Sequence, residues 1–249
     1  MNIKWDAENY RDNFSFVHEY GEDVLSLLKA EKGSRVLDLG CGNGALSAKL
    51  KEAGFIVTGV DASAEMIAIA EKAHPGIEFI RADALSFSPD KKFDAVFSNA
   101  VIHWIDAKEQ GHLAKNIASL LAPGGEFVCE FGGKDCAEAV HSALEAAFAC
   151  RGMKYPRTFF FPTIGEYAPI LEAAGLKVTY AALFPRPTLQ KTGVSGWIKM
   201  FIKEPFYNIP PATAEEITAE AEEACRKKLF KNGEWYVDYV RIRIRAEKE

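Results

Sequence analysis

The sequence predicts an α/β fold: a doubly wound, mostly parallel sheet with helices on both faces. Three observations point there. Short apolar runs bounded by turn residues alternate with segments of helical period. The first run leads straight into Gly40, Gly42 and Gly44 and then into a helix, an arrangement that brings a ligand against backbone N–H groups at a helix N-terminus. Asp38, Asp61 and Asp83 stand at or just past the ends of the first three runs, where open α/β sheets hold ligands.

Size and composition set the limits. A chain of 249 residues suits one α/β domain with an inserted segment, and residues 1–249 are read here as one domain. Its 48% of hydrophobic residues supports a large core. A net charge of −5 gives no general attraction to phosphate backbones, so nucleic acid is not expected as a partner. No run of about 18 apolar residues occurs, and Met1-Asn-Ile-Lys-Trp-Asp6 has no signal-like apolar stretch. The expectation is a cytoplasmic protein without a membrane partner. The five cysteines are odd in number and lack ligand spacing, which predicts buried free thiols and no metal.

The elements follow in order. Residues 14–30 place Val17, Tyr20, Val24, Leu27 and Leu28 at helical spacing, after an aromatic lead-in of Trp5 and Tyr10. Val36, Leu37 and Leu39 make the first strand; Leu46, Leu50 and Ala53 share a helix face that Gly54 stops. Residues 55–60 are the second strand, and Ser63 reads as the N-cap of a helix with Met66 in its first turn. Residues 77–80 form the third strand, before Arg81-Ala-Asp83-Ala84, and residues 93–98 the fourth, before Asn99-Ala-Val-Ile-His103-Trp104. A helix with Leu113, Ile117, Leu120 and Leu121 closes at Ala122-Pro-Gly-Gly125, ahead of a fifth strand over 126–131. A helix begins at Asp135, Thr163 caps another that ends at Gly175, and residues 176–183 are the sixth strand.

Pro185-Arg-Pro187 interrupts the pattern. Residues 186–230 are read as a helical cap insertion between strands six and seven, with a helix over 215–228 opened by a Thr213-x-x-Glu216 capping box. After the Asn232-Gly233 turn comes the longest alternating segment, residues 235–246. Val240, Ile242 and Ile244 point one way, and Arg241, Arg243 and Arg245 the other. Such a row reads as the exposed flank of an outer strand, or as a partner for helix carboxylates, before it reads as a binding stripe.

The ligand is the next question. Gly40-x-Gly42-x-x-Ala45 also satisfies a loose dinucleotide fingerprint, so the glycines alone leave a diphosphate open. Asp38, two residues before the first glycine, would repel a pyrophosphate and attract a cation. Asp61, 21 positions after Gly40 (61 − 40), falls where an acid meets ribose hydroxyls.

Asp38-x-Gly40-x-Gly42-x-Gly44 therefore resembles the signature of the class I S-adenosylmethionine-dependent methyltransferases. The resemblance is specific over residues 5–131, weaker over the last two strands and nearly absent in the insertion. It implies a seven-stranded sheet of order 3-2-1-4-5-7-6 with strand seven antiparallel, and S-adenosylmethionine as cofactor. It further implies that Asp38, Gly40, Cys41, Gly42 and Gly44, at the glycine turn, bind that cofactor. Asp61 and Ala62 would then meet the ribose, Met66 the adenine face, Asp83 and Ala84 the adenine edge, and Asn99 and Ala100 the methionine portion. The Asn99-Ala-x-x-His103-Trp104 form, with Trp5-x-x-x-x-Tyr10, is similar to the small-molecule branch that includes trans-aconitate methyltransferase. Enzymes that methylate nucleic-acid amino groups carry Asn/Asp-Pro-Pro-aromatic at this point. His103 is accordingly the catalytic candidate, with Tyr10, Trp104, Arg186 and Trp197 as candidates for the acceptor pocket. Methyl transfer to a small molecule, with a carboxylic acid leading, is the implied activity. An NAD-dependent oxidoreductase and a non-catalytic S-adenosylmethionine-binding module are the alternatives.

Overall fold

Strand β1 (Arg35–Leu39) is the centre of the sheet, and its Val36, Leu37 and Leu39 are at most 1% exposed. A computed structural model describes residues 23–249. Trp5, Tyr10 and most of the amphipathic segment from residue 14 lie outside the described residues.

After β1 the chain runs through α1 (Ala45–Glu52), β2 (Ile56–Asp61), α2 (Ala64–Ala73), β3 (Glu78–Arg81), β4 (Phe93–Asn99), α3 (Gln110–Leu120) and β5 (Leu121–Gly132). It continues through α4 (Glu138–Ala149), α5 (Ile164–Glu172) and β6 (Leu176–Pro185). Then come β7 (Thr188–Leu189), α6 (Gly193–Phe201), α7 (Pro211–Leu229), β8 (Phe230–Lys231), β9 (Glu234–Val237) and β10 (Val240–Lys248). The main sheet has the order β3-β2-β1-β4-β5-β10-β6. The first five strands are parallel, and β10 lies antiparallel between β5 and β6. With β10 as the seventh strand, this is the expected order. Local signals hold where they are strong: Ser63 Oγ accepts the Met66 N–H at 3.3 Å, and Thr163 with Glu166 forms a complete capping box.

Four expectations fail, the first three for a physical reason. The alternating stretch 235–246 is two strands, because β9 joins β7 and β8 in a separate three-stranded sheet. The break at Asp238-Tyr239 is pinned to the start of α4: the Asp238 carbonyl accepts the Ala137 N–H, and its carboxylate accepts those of Ala139 and the Lys228 ammonium. Thr213 caps nothing, because α7 already starts at Pro211, whose fixed φ suits the first helical position. The arginine row of β10 faces inward. Arg241 and Arg245 are each 7% exposed; Arg243 meets Glu130 of the neighbouring strand, and Arg245 meets Glu126 of that strand and Glu247 of its own, none of them on a helix. Cys150 is the exposed exception among otherwise buried thiols.

The core divides by sheet face. Leu37, Leu39, Val96, Phe127, Phe131, Ile242 and Ile244 meet Leu113 and Ile117 of α3 and Tyr167 and Leu171 of α5. On the other face Val36, Ala95, Phe97 and Val128 meet Leu46 and Leu50 of α1 and Val24. A third cluster joins α4, α6 and α7 through Leu144, Phe148, Val194, Trp197, Ile198, Ile217 and Ala221. Among the described residues no helix is long and apolar enough to cross a membrane.

Candidate functional site

The glycine turn after β1 is shaped by close packing. Gly40 has φ 80°, and a Cβ there would overlap the Val101 side chain. Its amides, expected to be bare toward a ligand, are largely used within the protein. The N–H groups of Gly40 and Cys41 both donate to the Val60 carbonyl, at 2.7 and 3.0 Å. That of Gly42 donates to Asp61 Oδ2 at 3.0 Å, that of Gly44 to the Cys41 carbonyl at 3.0 Å, and that of Ala45 to Asn43 Oδ1 at 3.2 Å. A phosphate would find few free donors in this turn.

Asp38 lies behind the turn rather than on the open surface. It is 2% exposed, and Ser47 Oγ donates to its Oδ2 at 2.6 Å. Burial pushes its carboxyl up to about 7, with the Ser47 bond pulling it down and the nearby Asp61 charge adding to the rise. Cys41, Gly42, Gly44 and the buried Met66 likewise back the turn and do not line the cleft in front of it.

That cleft has a volume of about 330 Å³ and opens at the carboxyl ends of β1 to β4. Gly40, Ala62 and Ala84 form part of its floor, and Val60, Leu85, Val101, Trp104, Ile105 and Phe201 its apolar walls. Among the described residues every charged residue lining it is acidic: Asp61, Asp83, Asp106, Glu109 and Glu204. Asp61 Oδ1 accepts the Ser63 N–H at 2.8 Å while Oδ2 holds Gly42. Each oxygen keeps acceptor capacity for a further donor. Burial raises the Asp61 carboxyl above the usual range, against the pull of these backbone bonds. Asp83 closes an Asx turn through the Leu85 N–H at 2.9 Å and is exposed to the cleft.

Beside the cleft, behind Trp104 and Phe201, lies a second cavity of about 50 Å³. Ala100, His103, Cys136, Phe159, Phe161, Trp197, Tyr239 and Arg241 complete its lining. Ala100 adopts φ 60°, its N–H donating to the Glu130 carbonyl at 2.7 Å. Asn99, half-buried at the end of β4, lines neither cavity. His103 sits in a short 3-10 turn (Ile102–Trp104) and is 7% exposed. Its Nδ1 accepts the Gly132 N–H at 3.2 Å, so the neutral ring carries its proton on Nε2. Burial, followed by the Arg241 charge, holds His103 well below its usual pKa. The Trp197 indole N–H donates to the Tyr239 hydroxyl, while Phe159 and Phe161 stack at 5.2 Å.

Arg186 is not in this cavity. Its guanidinium grips both oxygens of buried Glu130, which Arg243 Nε also reaches at 2.7 Å. Arg245 Nε donates to Glu126 Oε2 at 2.6 Å. Arg241, the residue that sequence reasoning missed, faces Gly132 across the ladder, where Arg243 faces Glu130. Its guanidinium lies 4.7 Å from the Tyr239 ring centroid, and its buried Nε has no hydrogen-bond partner among the described residues. A signal existed: strand five offers two glutamates to three arginines of like parity.

Residues 36–125 match a family described as a methyltransferase domain. An uncharacterized methyltransferase of Schizosaccharomyces pombe is 31% identical over 98% of this chain and 98% of its own. A trans-aconitate 2-methyltransferase of Methylobacterium nodulans is 30% identical, with 88% of this chain and 85% of that one aligned. A magnesium protoporphyrin IX methyltransferase of Synechocystis, solved with bound S-adenosylhomocysteine, has a TM-score of 0.58 at 17% identity, covering 100% of this chain and 89% of that one, a likeness of fold alone.

Proposed function

The chain belongs to the class I S-adenosylmethionine-dependent methyltransferases, and on that premise we propose that it methylates a small molecule, with a carboxylic acid as the acceptor. The whole chain is read as one catalytic domain, with residues 186–230 as the cap that shapes the acceptor side. The charge of the cleft carries the reading: its ionic lining among the described residues is acidic, and the turn beside it has few amides to spare. Such a groove favours a nucleoside that bears positive charge and disfavours a diphosphate.

Within it Asp61 takes the ribose hydroxyls through its remaining lone pairs, and Asp83 with the Ala84 N–H takes the adenine edge. Ala62 and Gly40 let the nucleoside approach the backbone. Asp38, Cys41, Gly42, Gly44 and Met66 hold the shape of this wall from behind, Asp38 supplying negative charge to the ammonium end, and Asn99 and Ala100 border the methionine portion. When bound, S-adenosylmethionine would supply an electrophilic methyl carbon, and a carboxylate acceptor, already ionised at neutral pH, would need no proton removed to take it. His103, protonated on Nε2 and deprotonated on Nδ1, acts as a hydrogen-bond donor to the acceptor rather than as its base. Trp104 and Trp197 wall the acceptor, and Tyr10 is retained as a candidate from the resemblance. Arg186 acts structurally, through Glu130.

Calorimetry with S-adenosylhomocysteine and NAD tests the cofactor side: the first binds and the second does not. Release of S-adenosylhomocysteine against a panel of carboxylic acids, phenols and amines tests the acceptor side. Turnover confined to phenols or amines sinks the carboxylate assignment, and cofactor binding without any turnover favours a non-catalytic module.

A further inference from the structure

We infer that Arg241 and His103 form a carboxylate-binding subsite, and that the acceptor is an apolar or aromatic monocarboxylate rather than a polycarboxylic acid. This rests on the methyltransferase reading above.

The starting observation is the unequal treatment of β10's arginines. Arg243 and Arg245 each meet a strand-five carboxylate, and Arg186 joins them on Glu130. Arg241 is as buried as Arg245, yet no carboxylate pairs with it among the described residues. An unpaired buried guanidinium is costly, and this one lines a cavity rather than a packed core. A planar fork of N–H donors suits a carboxylate. His103 lines the same cavity, with its Nδ1 committed to Gly132 and a proton on Nε2 for a second bond to the same anion.

The surroundings narrow the class. The cavity's volume of about 50 Å³ exceeds the roughly 10–15 Å³ that a single water needs, which is room to admit a carboxylate. The cavity meets the cleft at Trp104 and Phe201, the rings that line both, so a carboxylate oxygen held by Arg241 and His103 is presented to the cleft while the acceptor's body packs on the aromatic side. Around it stand Phe159, Phe161 and Trp197. Among the described residues a second or third carboxylate would find no further cation in either lining and would face Asp106, Glu109 and Glu204.

The test is binding, read by quenching of tryptophan fluorescence in the presence of saturating S-adenosylhomocysteine. The probes are benzoate, 3-phenylpropanoate and hexanoate, their three amides, and trans-aconitate. At least one monoacid should bind about tenfold or more tighter than its amide and than trans-aconitate. Arg241→Met should weaken that acid by about thirtyfold while leaving the S-adenosylhomocysteine dissociation constant within about twofold, and Arg241→Lys should recover part of the loss. Equal binding of acid and amide by the unaltered protein overturns the subsite, so the result does not hang on how a variant folds. Unchanged acid affinity in Arg241→Met overturns it also, and tighter binding of trans-aconitate overturns the monocarboxylate class. Failure of S-adenosylhomocysteine itself to bind would instead overturn the cofactor reading.

Discussion

The cleft and the aromatic cavity share the rings of Trp104 and Phe201 but select charge in opposite ways. The cleft is lined by five acids distributed over the ends of β2 and β3 and the loops beyond. Among the described residues the cavity presents one cation, Arg241, inside a box of rings. Charge in the first is spread and partly solvated, so no single side chain decides it. In the second it is concentrated and desolvated, so one substitution should change what binds. Under the proposed function, a methyl donor with positive charge and an acceptor with negative charge are thereby sorted to adjoining pockets that share two rings.

The largest effect we expect separates paired arginines from the unpaired one. Glu130→Ala leaves Arg186 and Arg243 buried without their carboxylate and should cost about 3–5 kcal/mol of stability, a fall of roughly 10 °C in melting temperature for a chain of this size. Arg241→Met, which removes a buried charge that has no such partner, should leave the melting temperature unchanged or higher in the absence of acceptor. Equal losses in the two variants would mean that Arg241 has a structural counter-ion and is not held for a ligand.

Next comes the independence of the two sites. Asp61→Ala should weaken S-adenosylhomocysteine by about 1–3 kcal/mol, the cost of leaving buried hydroxyls unpaired, and calorimetry would read an unchanged constant if Asp61 only braces Gly42 and Ser63. His103→Ala should do the reverse. Cofactor affinity should stay within about threefold, while turnover falls by about tenfold or more, the worth of a hydrogen bond to a charged group. At saturating S-adenosylmethionine, which removes any contribution from Asp38, a pH profile of turnover that stays flat from about pH 6 to 8 in the unaltered protein distinguishes the donor from a base, because burial holds the His103 pKa well below its usual value.

The cleft was far more legible than the cavity, and the reason is local. Strand, turn and helix are adjacent in sequence, so β1 to β4 and the acids after them announce themselves through apolar runs, glycines and a cap. Even there, burial of Asp38 and the internal bonds of the turn amides needed the fold, because nothing in Asp-x-Gly-x-Gly-x-Gly says which groups are already satisfied. The cavity draws on Ala100, Cys136, Phe159, Trp197 and Arg241, parts of the chain that only tertiary structure joins. Arg186 looked available because its partner, Glu130, is more than fifty residues away (186 − 130). Arg241 looked like surface because alternation gives a strand two faces without saying that both are covered, and because residues 235–246 read as one strand hid the bend at Asp238.

The smallest effect tests the acid that the sequence singled out and the fold then concealed. Burial holds the Asp38 carboxyl at about 7 in the free protein, so at pH 6 most copies are protonated and neutral. An ammonium brought near it favours the ionised form, which lowers that pKa on binding and releases a proton. Because the raised value belongs to the free state, affinity should rise with pH. Between about pH 6 and 7.5 the ionised fraction grows from roughly a tenth to three quarters, which caps the gain in S-adenosylhomocysteine affinity at about eightfold. Calorimetry in two buffers of different ionisation heat should detect the released proton. Asp38→Asn should flatten the pH dependence while keeping the Ser47 contact through the amide oxygen. An affinity that is level across this range in the unaltered protein would mean that Asp38 orders the first turn of α1 through Ser47 and has no part in holding the cofactor, leaving the cleft's charge selectivity to Asp61 and Asp83.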